Sequence, residues 1–133
     1  SSTIVKINQR SNYLKKKNFY LDFFNNKKNR IKNSQVKIDT LENLIKIDEF
    51  KFIDLIKIDT EGYDFNVIKG LGNLISKVRF IYFEHHFHDM LLKDYKFNDV
   101  DTFLKSKNFK KVFKTKMFFR KTFEYIYKNN SFN

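Results

Sequence analysis

The stretch DLIKIDTEGYDFNVIKG, Asp54 to Gly70, decides how the chain is to be read. It is the end of an apolar strand, FIDLIKID (Phe52 to Asp59), running directly into a knot of two carboxylates, a glycine and a tyrosine. Apolar residues fall on both faces of that strand, as expected for an interior parallel strand. The knot then gives way to helical spacing. Phe65, Ile68, Leu71, Leu74, Ile75 and Val78 recur at three- and four-residue steps, which predicts a helix that Gly70 and Gly72 interrupt. Asp59, Thr60 and Asp64 supply caps for such a helix, and Gly62 supplies the conformational freedom of the turn.

Outward from this segment the pattern continues as strand and helix in alternation. VRFIYFEHH (Val78 to His86) reads as a second apolar strand, and NDVDTFLKSKNF as an amphipathic helix capped by Asn98 or Asp99, with Val100, Phe103 and Leu104 inward. The tail KKVFKTKMFFRKTFEYIYKN holds two alternating runs around a polar turn, an antiparallel hairpin whose Phe113, Phe118, Phe119 and Phe123 are expected in the core rather than on a stacking surface. Upstream, VKIDTL alternates as a strand and leads into LENLIKI, a helical segment behind a Thr40 cap. TIVKI (Thr3 to Ile7) reads as a short strand, followed by an asparagine- and lysine-rich segment that is irregular or partly helical. The order is that of an α/β fold, with parallel strands, covering helices and a C-terminal hairpin.

Composition narrows the function classes. The chain of 133 residues fits one domain, has no run approaching the ~20 apolar residues of a membrane helix, and holds no cysteine for disulfides, thiolate metal sites or nucleophilic catalysis. The expected setting is cytoplasmic, with no membrane partner. A net charge of +12 and 24 aromatic residues keep a small basic nucleic-acid-binding module as the alternative function. Against it, lysine outnumbers arginine 23 to 4, whereas a phosphate-binding surface favours the bidentate arginine fork. The surplus of lysine, asparagine and phenylalanine, with alanine and proline absent, matches the codon bias of an AT-rich genome.

Open sheets place their ligands beyond the carboxyl ends of the strands. The first strong strand ends at Asp59 and the second at Glu84, so if the two are neighbours, about 4.8 Å apart, their terminal side chains face one crevice. Asp59, Glu61, Glu84 and His85 would converge there. His85, one residue past a strand end, is a candidate proton acceptor if a carboxylate holds its imidazole, against plain capping or solvent exposure. The spacing of His85, His86 and His88 matches no zinc signature, so no metal site is expected.

The elements DTLENLI (Asp39 to Ile45), DLIKIDTEGYDFNVIKG and FIYFE, in this order, resemble the FkbM family of S-adenosylmethionine-dependent methyltransferases. Glu42 stands where that pattern usually has aspartate. The resemblance implies a Rossmann-like class I methyltransferase fold, S-adenosylmethionine as cofactor, and transfer of a methyl group to an oxygen of a sugar or other small metabolite or glycan. It implies a positioning and cofactor-binding role for Asp59, with Glu61 and Glu84 beside it. The glycine-rich cofactor loop of that fold does not precede SSTIVK, and the GLG at Gly70 to Gly72 follows a helix rather than a strand, so it is read as helix termination. Residues 1–133 are therefore expected to be the C-terminal portion of a single methyltransferase domain, inactive by itself and partnered by the N-terminal half of the same domain. A non-catalytic remnant is the further alternative.

Overall fold

The computed structural model describes residues 3–24, 34–45 and 50–132. Its elements are α1 (Asn12–Phe24), α2 (Leu41–Leu44), β1 (Ile53–Ile58), α3 (Asp64–Lys69), a 3-10 helix (Gly72–Lys77), β2 (Val78–His86), α4 (Phe97–Ser106), β3 (Phe109–Lys116) and β4 (Thr122–Asn129). The four strands form one mixed sheet in the order β1-β2-β4-β3. β1 and β2 run parallel, with Ile58 opposite Phe83, while β4 is antiparallel to both β2 and β3. The fold is α/β, as the alternation of elements predicts.

One face of the sheet carries the core. Ile58, Ile81, Phe83, Tyr125 and Tyr127 project from it and pack with Ile68 of α3, Leu74 and Ile75 of the 3-10 helix, and Val100 and Leu104 of α4. Strand alternation makes this possible, because residues two apart share a face. Burying such side chains contributes roughly 1.5–3 kcal/mol each. Two polar ties cross this core: the Tyr127 hydroxyl donates to the Asp101 carboxylate, and Asn129 Nδ2 donates to the Val78 carbonyl at 3.1 Å. The opposite face carries Lys57, Tyr82, Glu84, Glu124 and Ile126, and it is only half-covered apart from Glu84.

The caps follow the sequence at α2 but not at α3, whose capping position is Tyr63 with no side-chain hydrogen bond, rather than Asp59, Thr60 or Asp64. Thr40 Oγ1 accepts from Asn43 N at 3.2 Å and caps α2. Glu42 reaches across the chain, where its Oε1 accepts from Asn73 N at 2.9 Å, so it anchors the first turn of the 3-10 helix. Gly72 allows this contact. It adopts φ +49°, and a Cβ there would lie 1.8 Å from the Glu42 carboxylate. Gly70 ends α3, whereas Gly72, read from the sequence as helix termination too, is the first residue of the 3-10 helix. At α4 the first-turn acid is Asp99, whose Oδ2 accepts from Lys96 N at 2.7 Å; Lys96 rather than Asn98 or Asp99 is the capping position.

β1 is an edge strand instead of an interior one, and Leu55 is 52% exposed, because among the described residues no strand pairs with its other side. The expected strand at Thr3 to Ile7 reduces to a single bridge between Ile7 and Leu91. Residues 36–40 of the expected VKIDTL strand form none, and Val36 and Ile38 are exposed; an alternating pattern becomes a strand only when a neighbour accepts its hydrogen bonds. Phe118 and Phe119 lie outside the core, at the tip of the β3–β4 hairpin, and Phe113 is 48% exposed on β3.

Candidate functional site

The turn from Asp59 to Asp64 is built on one buried carboxylate. Asp64 is 2% exposed, and its Oδ1 accepts from the Thr60 amide and the Thr60 hydroxyl, both at 3.0 Å, while Oδ2 accepts from the Gly62 amide at 3.2 Å. It therefore holds the loop upstream of α3. Asp64 is the first residue of that helix, and its side chain bends back against the direction of the chain. Both residues at the apex have left-handed backbones, Glu61 at φ +48° and Gly62 at φ +96°. Glycine adopts such values freely, whereas for glutamate the conformation carries strain, of the kind that gathers at functional loops. The apex is pinned by the Thr3 hydroxyl, donating to the Glu61 carbonyl at 2.7 Å, and by the Tyr95 hydroxyl, donating to the Gly62 carbonyl at 3.1 Å. Leu91 closes over it, and a Cβ at position 62 would stand 3.0 Å from Leu91 Cδ1.

The sheet brings this loop to Glu84. Asp59 and Glu84 each follow directly on the last register pair of β1 and β2, Ile58 and Phe83, so two parallel strands deliver their acids side by side. Asp59 is exposed, whereas Glu84 is 9% exposed. Burial pushes the Glu84 carboxyl above the usual range, and the negative charges of Asp59, Glu124, Glu61 and Asp64 push it further. Glu124 stands opposite Glu84 on β4 and accepts from the Tyr82 hydroxyl at 2.6 Å. That hydrogen bond, with burial and the charges of Glu124, Glu84 and Asp59, raises the Tyr82 phenol to about 12. The result is a rim of carboxylates around one protonatable carboxyl.

The histidines divide between the two faces. Glu84 and His86 are two residues apart and share the acidic face. His86 Nε2 lies 3.4 Å from Glu61 Oε2, and its Nδ1 lies 2.9 Å from Thr122 Oγ1. With the proton on Nε2, the ring would point it toward Glu61 and accept from the Thr122 hydroxyl. Burial lowers the His86 pKa, with Glu61 and Asp64 opposing that shift. His85 turns to the opposite face, into a cage of Phe87, Tyr95 and Phe97 at ring separations of 4.7, 5.7 and 5.5 Å. Burial and the neighbouring Lys93 and His86 drop its pKa to about 3, which leaves a weak base at neutral pH. His88 stacks on Tyr13 at 4.2 Å, and its pKa falls to about 4, chiefly through burial.

Lys93 completes this cluster with almost no signal in the sequence pattern. Its ammonium donates to the His86 carbonyl, lies 3.3 Å from His85 Nε2 and sits 5.3 Å from the Tyr95 ring centre. Burial lowers it to about 8, against the pull of Asp64. Lys93 thus touches the His85 ring and the His86 backbone and feels the charge of Asp64. In a chain with 23 lysines its type carried no contrast, and only its position between Leu91 and Tyr95, both buried, marked it.

Of the four candidate catalytic residues, Asp59, Glu61 and Glu84 come together on one face, while His85 stands on the other and His86 takes the place beside Glu61. Among the described residues, no group of three or more histidine, aspartate or glutamate side chains is arranged to hold a metal ion. The arrangement can attract a cation to the carboxylate rim and accept a proton at Glu84.

No curated protein and no solved structure gives a significant match to the chain. The family model described as the methyltransferase FkbM domain matches residues 5–111, a span that takes in the Asp59–Asp64 loop, both parallel strands, Glu84 and all three histidines. By that match, which covers most of its length, the chain belongs to the FkbM methyltransferase domain family.

Proposed function

We propose that the chain is the C-terminal part of an S-adenosylmethionine-dependent O-methyltransferase with a Rossmann-like fold, working in the cytoplasm on a hydroxyl of a sugar or other small metabolite. One observation carries this reading: within an FkbM domain, adjacent parallel strands bring Asp59, Glu61 and Glu84 to one end of the sheet. The donor set fits the group, since a rim of carboxylates suits a cationic sulfonium with an ammonium tail. S-adenosylmethionine would supply the electrophilic methyl. Asp59, exposed at the strand end, orients that cation, and methyl transfer gains most from holding donor and acceptor in line. Glu84 accepts the hydroxyl proton, because its raised pKa brings it closer to neutrality than an ordinary carboxylate. Glu61, paired with His86, adds its negative charge to the rim.

Removal of the Asp59 charge separates this reading from a structural one. In the enzyme carrying the complete domain, Asp59→Asn is expected to lower turnover between tenfold and a hundredfold, with an unchanged melting temperature because Asp59 is exposed. Unchanged turnover would remove Asp59 from the site.

The half-domain reading is supported by β1. Its outer edge is unpaired among the described residues, and Phe52 and Leu55 stand exposed along it. A bare apolar edge invites pairing, and a further parallel strand from an N-terminal half would cover it. Calorimetric titration of the 133-residue chain with S-adenosylmethionine should accordingly show no binding at micromolar concentrations. Micromolar affinity would overturn the half-domain reading.

A further inference from the structure

The β3–β4 hairpin ends in two adjacent phenylalanines with almost no protein around them. Phe118 is 83% exposed and Phe119 91%, and they occupy the centre of a turn closed by the Arg120 amide donating to the Met117 carbonyl at 3.2 Å. Their rings meet edge-on, with centres 4.1 Å apart and planes at 61°, which makes a compact wedge. Phe119 has φ +59°, a position that glycine or asparagine occupies with less strain than a bulky aromatic. Around the wedge the charge has one sign. Residues 110–121 include Lys110, Lys111, Lys114, Lys116, Arg120 and Lys121, and no acid. Lys111 is turned inward toward Asp101, at 3.6 Å, while Lys114, Lys116, Arg120 and Lys121 stand exposed by the tip.

We propose that this tip is a membrane-surface contact: Phe118 and Phe119 enter the headgroup boundary of an anionic bilayer, and Lys114, Lys116, Arg120 and Lys121 meet its headgroups. Charge complementarity selects the occupant. Basic residues flanking aromatics bind at the interface of anionic lipid, each cation adding to the attraction and each ring adding apolar burial. A second copy of the chain would set one basic tip against another. A nucleic acid would need ring faces open as platforms, and the edge-on pair offers a wedge instead. Among the described residues no helix is long and apolar enough to cross a membrane. The tip stands at the end of the sheet that holds the acids, because the Phe87 amide donates to the Lys121 carbonyl at 2.7 Å and His86 contacts Thr122.

Sedimentation with vesicles tests the contact. The chain should bind vesicles of phosphatidylcholine with about 30% phosphatidylserine and bind pure phosphatidylcholine at least tenfold more weakly. The double variant Phe118→Ser/Phe119→Ser should lose at least tenfold in partitioning, and Lys116→Gln/Arg120→Gln/Lys121→Gln roughly 100-fold. These side chains are exposed, so circular dichroism should show the fold retained. Since the chain has no tryptophan, Phe119→Trp gives a single probe whose emission should shift to the blue with anionic vesicles only. The proposal fails if the native chain ignores anionic vesicles, or if the serine variant binds them equally well. It also fails if the tryptophan stays in water, or if the phenylalanines instead govern binding to single-stranded RNA or self-association.

Discussion

Acidification from pH 7 to pH 4.5 is expected to remove about 5 kcal/mol of folding stability, enough to unfold a domain of this size. Three buried histidines carry the effect. His85, His86 and His88 are each held neutral by burial, two of them with pKa values of about 3 and about 4 against 6.5 for an unhindered imidazole. A group whose folded pKa is depressed binds protons more readily when unfolded. Its contribution is complete above pH 6.5 and declines as the pH falls toward the folded value. Each unit of pH costs about 1.4 kcal/mol per histidine, so His85 and His88 together lose roughly 5 kcal/mol over the interval. The surrounding charges set the scale. The positive charge of Lys93 discourages protonation of all three rings, whereas Glu61 favours it at His86 and His88, and Asp64 and Asp59 at His86. Glu84 acts in the opposite sense, since its raised pKa makes it take up a proton on the folded side first, above pH 4.5. The lowered carboxylates Asp39, Asp89 and Asp101 respond only below about pH 3.8.

An acid titration followed by circular dichroism should therefore give a midpoint between pH 4 and 5. The substitution His85→Phe supplies the control. The ring cage of Phe87, Tyr95 and Phe97 accepts another aromatic, so the variant should stay folded, shift the midpoint to lower pH and release the transition from one proton. An unfolding midpoint below pH 3.5, or one that His85→Phe leaves in place, would show that the histidines are not what limits acid stability.

The same histidines show what could be read in advance. The pairing of β1 with β2 and the meeting of Asp59 with Glu84 followed from two apolar runs, each ending in an acid, and β2 spans the same residues as its pattern. The choice of His85 over His86 did not follow. Side chains alternate along a strand, so once Glu84 faces the crevice, His86 faces it too and His85 faces away; parity alone identified the correct neighbour for Glu61. Two other features lay outside any local pattern. Apolar alternation registers burial on a face but says nothing of how many neighbours a strand has, so β1 reads as interior while, among the described residues, it sits at an edge. Alternation also continues through the end of a hairpin, where Phe118 and Phe119 keep the spacing of core residues without a core to enter.

Asp64→Ala is expected to destabilise the chain by about 3 kcal/mol, more than any change to the exposed acids of the site. The carboxylate accepts three hydrogen bonds from Thr60 and Gly62, and it is 2% exposed, so water cannot readily replace it. Each bond to a charged acceptor contributes about 1.5–3 kcal/mol, offset in part by the desolvation of the acid, which the alanine no longer has to bear. The amides of Thr60 and Gly62 would be left without their acceptor, and the left-handed backbone at Glu61 and Gly62 would lose what holds it against strain. Asp64→Asn should cost less, because one amide oxygen can still serve Thr60 while its NH2 group confronts the Gly62 N–H. Urea titration of the two variants checks the order. A loss below 1 kcal/mol for alanine, or equal losses for both, would mean that the backbone of the turn stands without Asp64. If the order holds, the Asp59–Asp64 loop takes its shape from a side chain inside the fold, and the position of Glu61 against His86 depends on a residue that itself faces no solvent.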